Sequence, residues 1–325
     1  LKMNIYLQSI SDELPKLELL DGKSRFNEMS TVELIDKFLV DELSLADAIL
    51  ISHDAIHFGN NSKYMDQLRE YAKTKPVILF DCGDIPQEIT IKNVYSLRNS
   101  YRPYSKKYNN LTIPYNVKPI NNMIFRSYSK NPVASFVGYI PKLISRRLIP
   151  RSFSHFWHPV KNNGALIRFF THRNLVQLND FIFVKRNHYG GAKSLIINIE
   201  EFQREYIESF EKSDFVLCPR GDANQSARYF ETLSAGRIPV IPNSGIIFPK
   251  LPQGINGPEN IIIRSASSNL KSTLNKFWNK LDSERYYAIQ KRNKEIFDNY
   301  WNYRSYMTWI FGLSFNEFKN LCESE

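Results

Sequence analysis

Cysteine is scarce in this chain of 325 residues, which contains three: Cys82, Cys218 and Cys322. They lie far apart and are odd in number, so the sequence indicates neither a disulfide framework nor a zinc site. No apolar run reaches the ~18 residues that a membrane-spanning helix needs, and no secretory signal is evident. We therefore expect a protein of a reducing compartment, the cytoplasm.

Several ligand-binding signatures are missing as well. The chain has no G-x-x-x-x-G-K phosphate loop and no Asp-x-Asp sequence that would hold a metal–diphosphate pair. It also has no helix-turn-helix, zinc-finger or aromatic RNA-binding signature. A nucleic-acid-binding function would therefore rest on charge alone.

The composition is that of a globular protein with a surplus of positive charge. Hydrophobic residues make up 42% and aromatic residues 14%, and the length allows two domains of ordinary size. Lys and Arg total 43 against 33 Asp and Glu, a net charge of +10. That excess suits an anionic partner: a nucleotide-bearing substrate, a lipid diphosphate, a membrane surface or a nucleic acid. Charge does not choose among these.

Apolar runs alternate with helical patterns along the chain, which predicts βαβ units and an α/β fold with parallel sheets. The predicted strands are 3–7, 46–52, 76–80, 93–97, 111–114, 133–139, 165–170, 180–184, 215–218, 238–241 and 260–264. The predicted helices begin near 31, 64, 200, 223 and 269, and an aromatic-rich helical tail covers 284–309. We place a linker in 118–132 and divide the chain into 1–128, 129–300 and 301–325, with the last segment packing back on the first domain.

The segment from Ser213 to Phe248 carries most of the information about function. It predicts a buried strand, a loop opening at Pro219, a helix beginning near Ala223 and ended by Gly236, and a second strand. Loops between strand ends and helix N-termini bind ligands in open α/β sheets, where free N–H groups and the helix dipole favour an anion.

Polar side chains in this loop and helix suit a nucleoside diphosphate. Arg220 and Arg228 offer planar forks for phosphate oxygens, beside Gly221 and Ser226. Glu231 lies one turn beyond Arg228 and would accept hydrogen bonds from ribose hydroxyls. The alternative is that Arg228 and Glu231 form an ordinary surface ion pair on a crossover helix.

The strings F-V-L-C-P-R-G, S-A-R-Y-F-E and A-G-R-I-P-V-I-P resemble the signature of the exostosin family of glycosyltransferases. The close match covers about thirty residues, with weaker echoes at 134–138 and 206–215. The resemblance implies the GT-B fold, in which two Rossmann-like domains with parallel sheets face a central cleft. It also implies transfer from a nucleotide-sugar donor, a UDP-sugar in the first instance, to an oligosaccharide, glycolipid or glycoprotein acceptor. Many members of the family invert the anomeric carbon, and the fold usually needs no bound metal.

Inverting transfer needs cations for the departing diphosphate and a base for the acceptor hydroxyl. Lys185 and Arg186 follow a predicted strand of the donor domain and join the donor-binding candidates, with Arg168 and Arg173 as weaker ones. The base is expected at strand ends of the first domain. Four residues qualify there: His53, Asp54, Asp81 and Asp84. Each could instead cap a helix or close a turn.

Two other functions stay open at this point. A relative that binds a glycan or sugar nucleotide without turning it over would lack the base. The charge surplus alone leaves a basic nucleic-acid-binding protein, although we expect no nucleic-acid partner. Segment 142–151 carries four basic residues and would suit a peripheral membrane contact, or be a solvated basic face.

Overall fold

The structure, a computed structural model, describes most of the chain in two compact units. The described residues are 2–8, 35–52, 62–81, 89–99, 109–140, 164–176, 180–186, 199–221, 225–242, 246–257, 263–265 and 269–323. One unit comprises residues 1–118, 246–253 and 300–325, and the other comprises 119–245 and 254–299. Within the described residues each unit contains one five-stranded sheet, and the strand pairs of both sheets are parallel. The predicted α/β class with two parallel sheets is confirmed.

The first unit's sheet follows the order of the chain, β1-β2-β3-β4-β5. Its strands are β1 (Ile5–Leu7), β2 (Ala48–Ser52), β3 (Val77–Asp81), β4 (Val94–Arg98) and β5 (Asn110–Thr112). Every residue of β3, β4 and β5 is buried, as expected for a parallel sheet with both faces covered. Helix α1 (Ser62–Thr74) packs against β3. Two short 3-10 helices, Asp36–Phe38 and Leu43–Leu45, precede β2.

Residues 300–325 complete the same unit. A π-helical turn at Phe297–Trp301 leads into two helices. These are α7 (Tyr303–Gly312) and α8 (Phe315–Glu323). The Tyr306 hydroxyl donates to Thr112 O at 3.1 Å, and the rings of Phe315 and Phe318 pack against Tyr95 with centroids 5.6 and 6.0 Å away. These apolar and polar contacts cover β4 and β5.

The second unit's sheet has the order β10-β9-β8-β6-β7. Its strands are β6 (Ala134–Tyr139), β7 (Phe181–Arg186), β8 (Phe215–Leu217), β9 (Ile238–Pro242) and β10 (Ile263–Ser265). Its helices are α2 (Gly164–Leu175), α3 (Ile199–Glu211), α4 (Ala227–Ser234), α5 (Leu270–Trp278) and α6 (Ser283–Ile296). Apolar residues from alternate positions of β6, β8 and β9 pack against α2 and α5, with Trp278 stacked on Tyr128 at 5.1 Å.

Two predictions about this unit are wrong. Residues 165–170, predicted as a strand, belong to helix α2. The signature helix begins at Ala227 and not near Ala223, because Ser226 is extended (φ −127°, ψ 127°) and serves as the N-cap. The predicted stop is confirmed: Gly236 has a φ of +66°, and a Cβ there would lie 2.8 Å from the Phe125 ring.

A buried polar network closes the amino edge of this sheet. Asp214 accepts hydrogen bonds from Arg126 Nε at 2.7 Å, Val133 N at 2.7 Å and the Tyr286 hydroxyl at 2.6 Å. Arg237, 1% exposed, donates to Gln290 Oε1 at 3.1 Å and to three backbone carbonyls, those of Phe210, Ala235 and Ile124. Burial lowers the Arg237 pKa to about 10, which leaves the guanidinium charged at neutral pH.

Candidate functional site

The strand order of the second sheet reverses between β6 and β8. From β6 the chain moves outward to β7, crosses back to β8 on the other side of β6, and continues to β9. In open α/β sheets the crevice outside the carboxyl ends of two such strands is where ligands bind. Residues 137–139 and 217–221 lie at that point, so the topology selects this crevice without reference to any motif.

Arg228, from the first turn of α4, spans the two strand ends. Its Nη2 donates to Val137 O of β6 at 2.5 Å, and its Nη1 lies 3.5 Å from Leu217 O of β8. The guanidinium lies over the Phe136 ring, 4.8 Å from the centroid. A guanidinium has five N–H groups, of which the bonds from Nη1, Nη2 and Nε use three. The other two donate to no residue that the structure describes. The predicted phosphate-binding residue is therefore held at the switch point.

Glu231 and Arg228 are separated by a phenol. The Tyr206 hydroxyl donates to Glu231 Oε2 at 2.5 Å and lies 3.4 Å from Arg228 Nε. No ion pair joins Arg228 to Glu231 among the described residues. The simple Arg228–Glu231 surface pair that the sequence left open is thus replaced by a three-residue arrangement.

Burial sets the electrostatics of these three groups. It raises the pKa of the Glu231 carboxyl above its ordinary 4.5, against the opposing effects of the Tyr206 hydrogen bond and the Arg228 charge. Burial and the nearby carboxylate raise the Tyr206 pKa well above 10, so the phenol stays protonated. Ionisable groups with pKa values displaced by burial beside a charged partner are typical of functional sites.

The loop after β8 packs against the N-terminal end of α2. Arg168 donates from Nε and Nη2 to Arg220 O, at 3.3 and 3.2 Å. A Cβ at Gly164 would lie 2.9 Å from the same carbonyl and still nearer to Gly221 O. Arg220 and Gly221, both partly buried, thus have their backbone fixed by α2. Arg168, a weaker candidate in the sequence, supports the loop.

The other donor-side candidates differ in where they lie. Ser226 caps α4 without a side-chain hydrogen bond. Arg186 ends β7, and it pairs with Glu205 at 2.6 Å while stacking on the Phe202 ring at 3.8 Å. Arg173 falls in the last turn of α2, at the opposite end of that helix from Gly164. Lys185 is in β7, and its side chain is outside the described residues.

Of the four predicted bases, Asp81 alone lies within the described residues. It ends β3, is fully buried, and pairs with Arg98 of β4 at 3.3 Å. His53, Asp54 and Asp84 lie outside the described residues, as does segment 142–151. The catalytic base therefore stays a prediction.

Tyr206 is a residue that sequence reasoning did not select. It belongs to helix α3, before the signature, in the segment where the family resemblance is weak. Its neighbour one turn on, Phe210, packs against its ring at 5.0 Å, so the pattern indicates an ordinary core aromatic. The hydroxyl becomes informative only when α3 and α4 are seen side by side.

Within the described part of the chain, no cluster of His, Cys, Asp and Glu could hold a metal ion, and no helix could cross a membrane. Cys218 and Cys322 are buried thiols. Burial raises the pKa of the Cys218 thiol to about 12, so it is not a nucleophile at neutral pH.

Comparison with known proteins gives remote structural likenesses. No family model and no curated protein matches the sequence. A glycosyltransferase from Rickettsia africae is 12% identical, with 90% of this chain and 80% of that one covered and a TM-score of 0.39. Anabaena Alr3699/HepE, solved with UDP and glucose, is 12% identical over 92% and 95% of the two chains, with a TM-score of 0.31.

The third likeness is to TarM, at 12% identity, 80% coverage of this chain and a TM-score of 0.35. The chain spans 58% of the length of TarM. At these scores the likenesses carry no weight for function, which has to be inferred from the residues of the site.

Proposed function

We propose that this protein is a GT-B glycosyltransferase that moves a sugar from a nucleoside-diphosphate sugar, a UDP-sugar in the first instance, to a hydroxyl of a glycan or glycoconjugate. The observation that carries the proposal is the position of Arg228 where the strand order of the second sheet reverses, with two N–H groups that no described residue accepts. The signature residues selected from the sequence and the crevice selected by topology coincide there.

Two arginines of the candidate site would stabilise a departing nucleoside diphosphate. Negative charge builds on the diphosphate as the glycosidic bond breaks, and fixed cations stabilise that charge. Arg228 supplies one such cation, and Arg220 lies in the adjoining loop. Glu231, three residues beyond Arg228, offers a carboxylate to ribose hydroxyls.

We further propose that the transfer inverts the anomeric carbon and needs no metal ion. The resemblance to the exostosin signature supports both points, because many members of that family invert and the fold usually needs no bound metal. Arginine forks can take the place that a divalent cation has in other transferases.

Arg228→Lys tests the proposal more sharply than Arg228→Ala. Lysine keeps the charge and can still reach one carbonyl, whereas alanine would remove both the charge and the side-chain bonds to Val137 O and Leu217 O. Loss of the fork should weaken UDP binding by about 10–100-fold in titration calorimetry, the equivalent of one or two charge-assisted hydrogen bonds. UDP release from UDP-sugars should fall at least as much.

Arg204→Lys is the matched control, because Arg204 is exposed on α3 and forms only surface ion pairs. Equal UDP affinity in wild type, Arg228→Lys and Arg204→Lys would remove Arg228 from the site. A wild-type protein that binds an oligonucleotide and no nucleoside diphosphate would overturn the transferase proposal in favour of a nucleic-acid partner.

A further inference from the structure

We propose that Tyr206 is a positioning residue, which keeps Arg228 and Glu231 apart so that one binds the diphosphate and the other binds ribose. The proposal rests on the function proposed above and adds a residue outside the signature. Tyr206 contacts neither group of the ligand in this scheme; it acts through the two charged side chains on either side.

Arg228 and Glu231 form no direct ion pair that the structure describes. Arg228 and Glu231 carry opposite charges three positions apart on one helix, an arrangement that normally gives a direct ion pair. Among the described residues, however, neither oxygen of Glu231 pairs with Arg228, and the Tyr206 hydroxyl bonds to Oε2 at 2.5 Å. The phenol occupies the place that the guanidinium would otherwise take.

Glu231 and Arg228 each keep hydrogen-bonding capacity for a ligand. Tyr206 holds Oε2, and Oε1 accepts no hydrogen bond from a described residue. Arg228 is drawn the other way, toward Val137 O and Leu217 O. A carboxylate fixed by one oxygen and open at the other is preorganised to accept a hydroxyl proton, which lowers the entropic cost of binding.

The groups around Glu231 differ in charge at neutral pH. Among the described residues, the ionisable groups around Glu231 are Tyr206 from α3, Arg228 from α4 and Cys218, the residue after β8. Tyr206 and Cys218 stay neutral at pH values near 7, since burial raises the pKa of both. Arg228 is then the one charged neighbour among these groups, and the phenol, together with the bonds to Val137 O and Leu217 O, prevents its collapse onto Glu231.

Tyr206→Phe removes one oxygen atom and should allow that collapse. We expect a direct Arg228–Glu231 ion pair that withdraws both groups from the ligand. UDP binding should weaken about tenfold, the equivalent of one lost hydrogen bond to a charged group. The preference for UDP over 2′,3′-dideoxy-UDP should fall toward one, because the carboxylate no longer meets the ribose hydroxyls.

The pH dependence of the preference for UDP over dideoxy-UDP shows whether Tyr206 positions the two charged side chains or only supports the fold. In wild type the preference for UDP over the dideoxy analogue should decline as the pH falls through the raised pKa of Glu231. Tyr206→Phe loses the hydrogen bond that lowers the Glu231 pKa, so loss of support alone should move the decline to higher pH. A direct Arg228–Glu231 ion pair lowers that pKa, so a decline that moves to lower pH would indicate the collapse we propose.

Tyr286→Phe is the matched control. It deletes the same kind of bond, from a phenol to the buried carboxylate of Asp214 at 2.6 Å, at the amino edge of the same sheet. We expect it to lower the melting temperature and to leave the UDP to dideoxy-UDP preference unchanged.

The outcomes distinguish the two proposals. Failure of wild type to bind UDP or any other nucleoside diphosphate overturns the proposed function. Normal UDP binding by wild type, with the same preference and pH profile in Tyr206→Phe, overturns the positioning role alone. If Tyr206→Phe does not fold, Glu231→Gln carries the test, and an undiminished preference in that variant overturns the assignment.

Discussion

Gly164→Ala should damage the candidate site without changing any polar group. Gly164 opens helix α2 directly against the loop that follows β8. An added methyl carbon would lie 2.9 Å from Arg220 O, 3.2 Å from the Gly221 carbonyl carbon and nearer still to Gly221 O. These neighbours are backbone atoms, so no side chain can rotate away to make room.

The short distances from the added methyl carbon to the loop backbone set the expected losses of stability and turnover. Carbon and oxygen atoms in ordinary contact lie roughly 3.5 Å apart, so the helix end or the loop must move by about 1 Å. Overpacking of this kind typically costs about 1–3 kcal/mol of unfolding free energy. A displacement of about 1 Å in a substrate-positioning loop can lower turnover by about 100-fold. Because Arg168 fixes the loop through Arg220 O, the strain should reach the site.

Two measurements check this prediction: chemical unfolding for stability and UDP release for turnover. Gly312→Ala is the matched control, because a Cβ at the end of α7 would meet no atom within 4 Å. We expect that control to be neutral or slightly stabilising, since Ala favours helix more than Gly. Gly164→Ala with wild-type stability and turnover would show that the loop yields freely and does not position the donor.

Two further predictions concern the carboxylate and the metal. Burial raises the pKa of Glu231, so the stability it contributes is present in acid and is lost as the pH rises through that pKa. Glu231→Gln should therefore raise the melting temperature at neutral pH, and this gain should shrink as the pH falls toward 4.5. The same variant should weaken UDP binding. A lower melting temperature at neutral pH would contradict the prediction. Chelator treatment should leave UDP release largely intact because Arg228 provides fixed charge at the diphosphate, and loss of activity that magnesium or manganese restores would show that a metal shares this task.

Most strands could be placed from the sequence because buried parallel strands are short apolar runs between turn residues. The exception, helix α2, shows why such runs mislead. Its buried residues include Ile167, Thr171 and Leu175, which are spaced four apart as on one face of a helix. The polar threonine hides that period, and the remaining string of apolar residues reads as a strand.

The candidate site was only partly predictable. Arg228 and Glu231 follow from helical spacing and from the signature, because both lie on one short helix. Tyr206 comes from another helix, and Arg168 acts through a backbone carbonyl, so neither has a local sequence pattern. Contacts between segments distant in the chain are set by packing, which a single sequence does not display.

The discontinuous make-up of the first unit has a consequence for synthesis. Strands β1 to β5 are neighbours in both sequence and space, so this sheet can assemble in the order in which it leaves the ribosome. Tyr95 and Thr112, however, obtain their cover from residues 306–318, which are translated after the whole second unit. Until those residues are synthesised, the nascent sheet exposes apolar surface, to which chaperones bind and through which the chain can aggregate. We therefore expect this interval to limit expression more than the stability of the finished protein does.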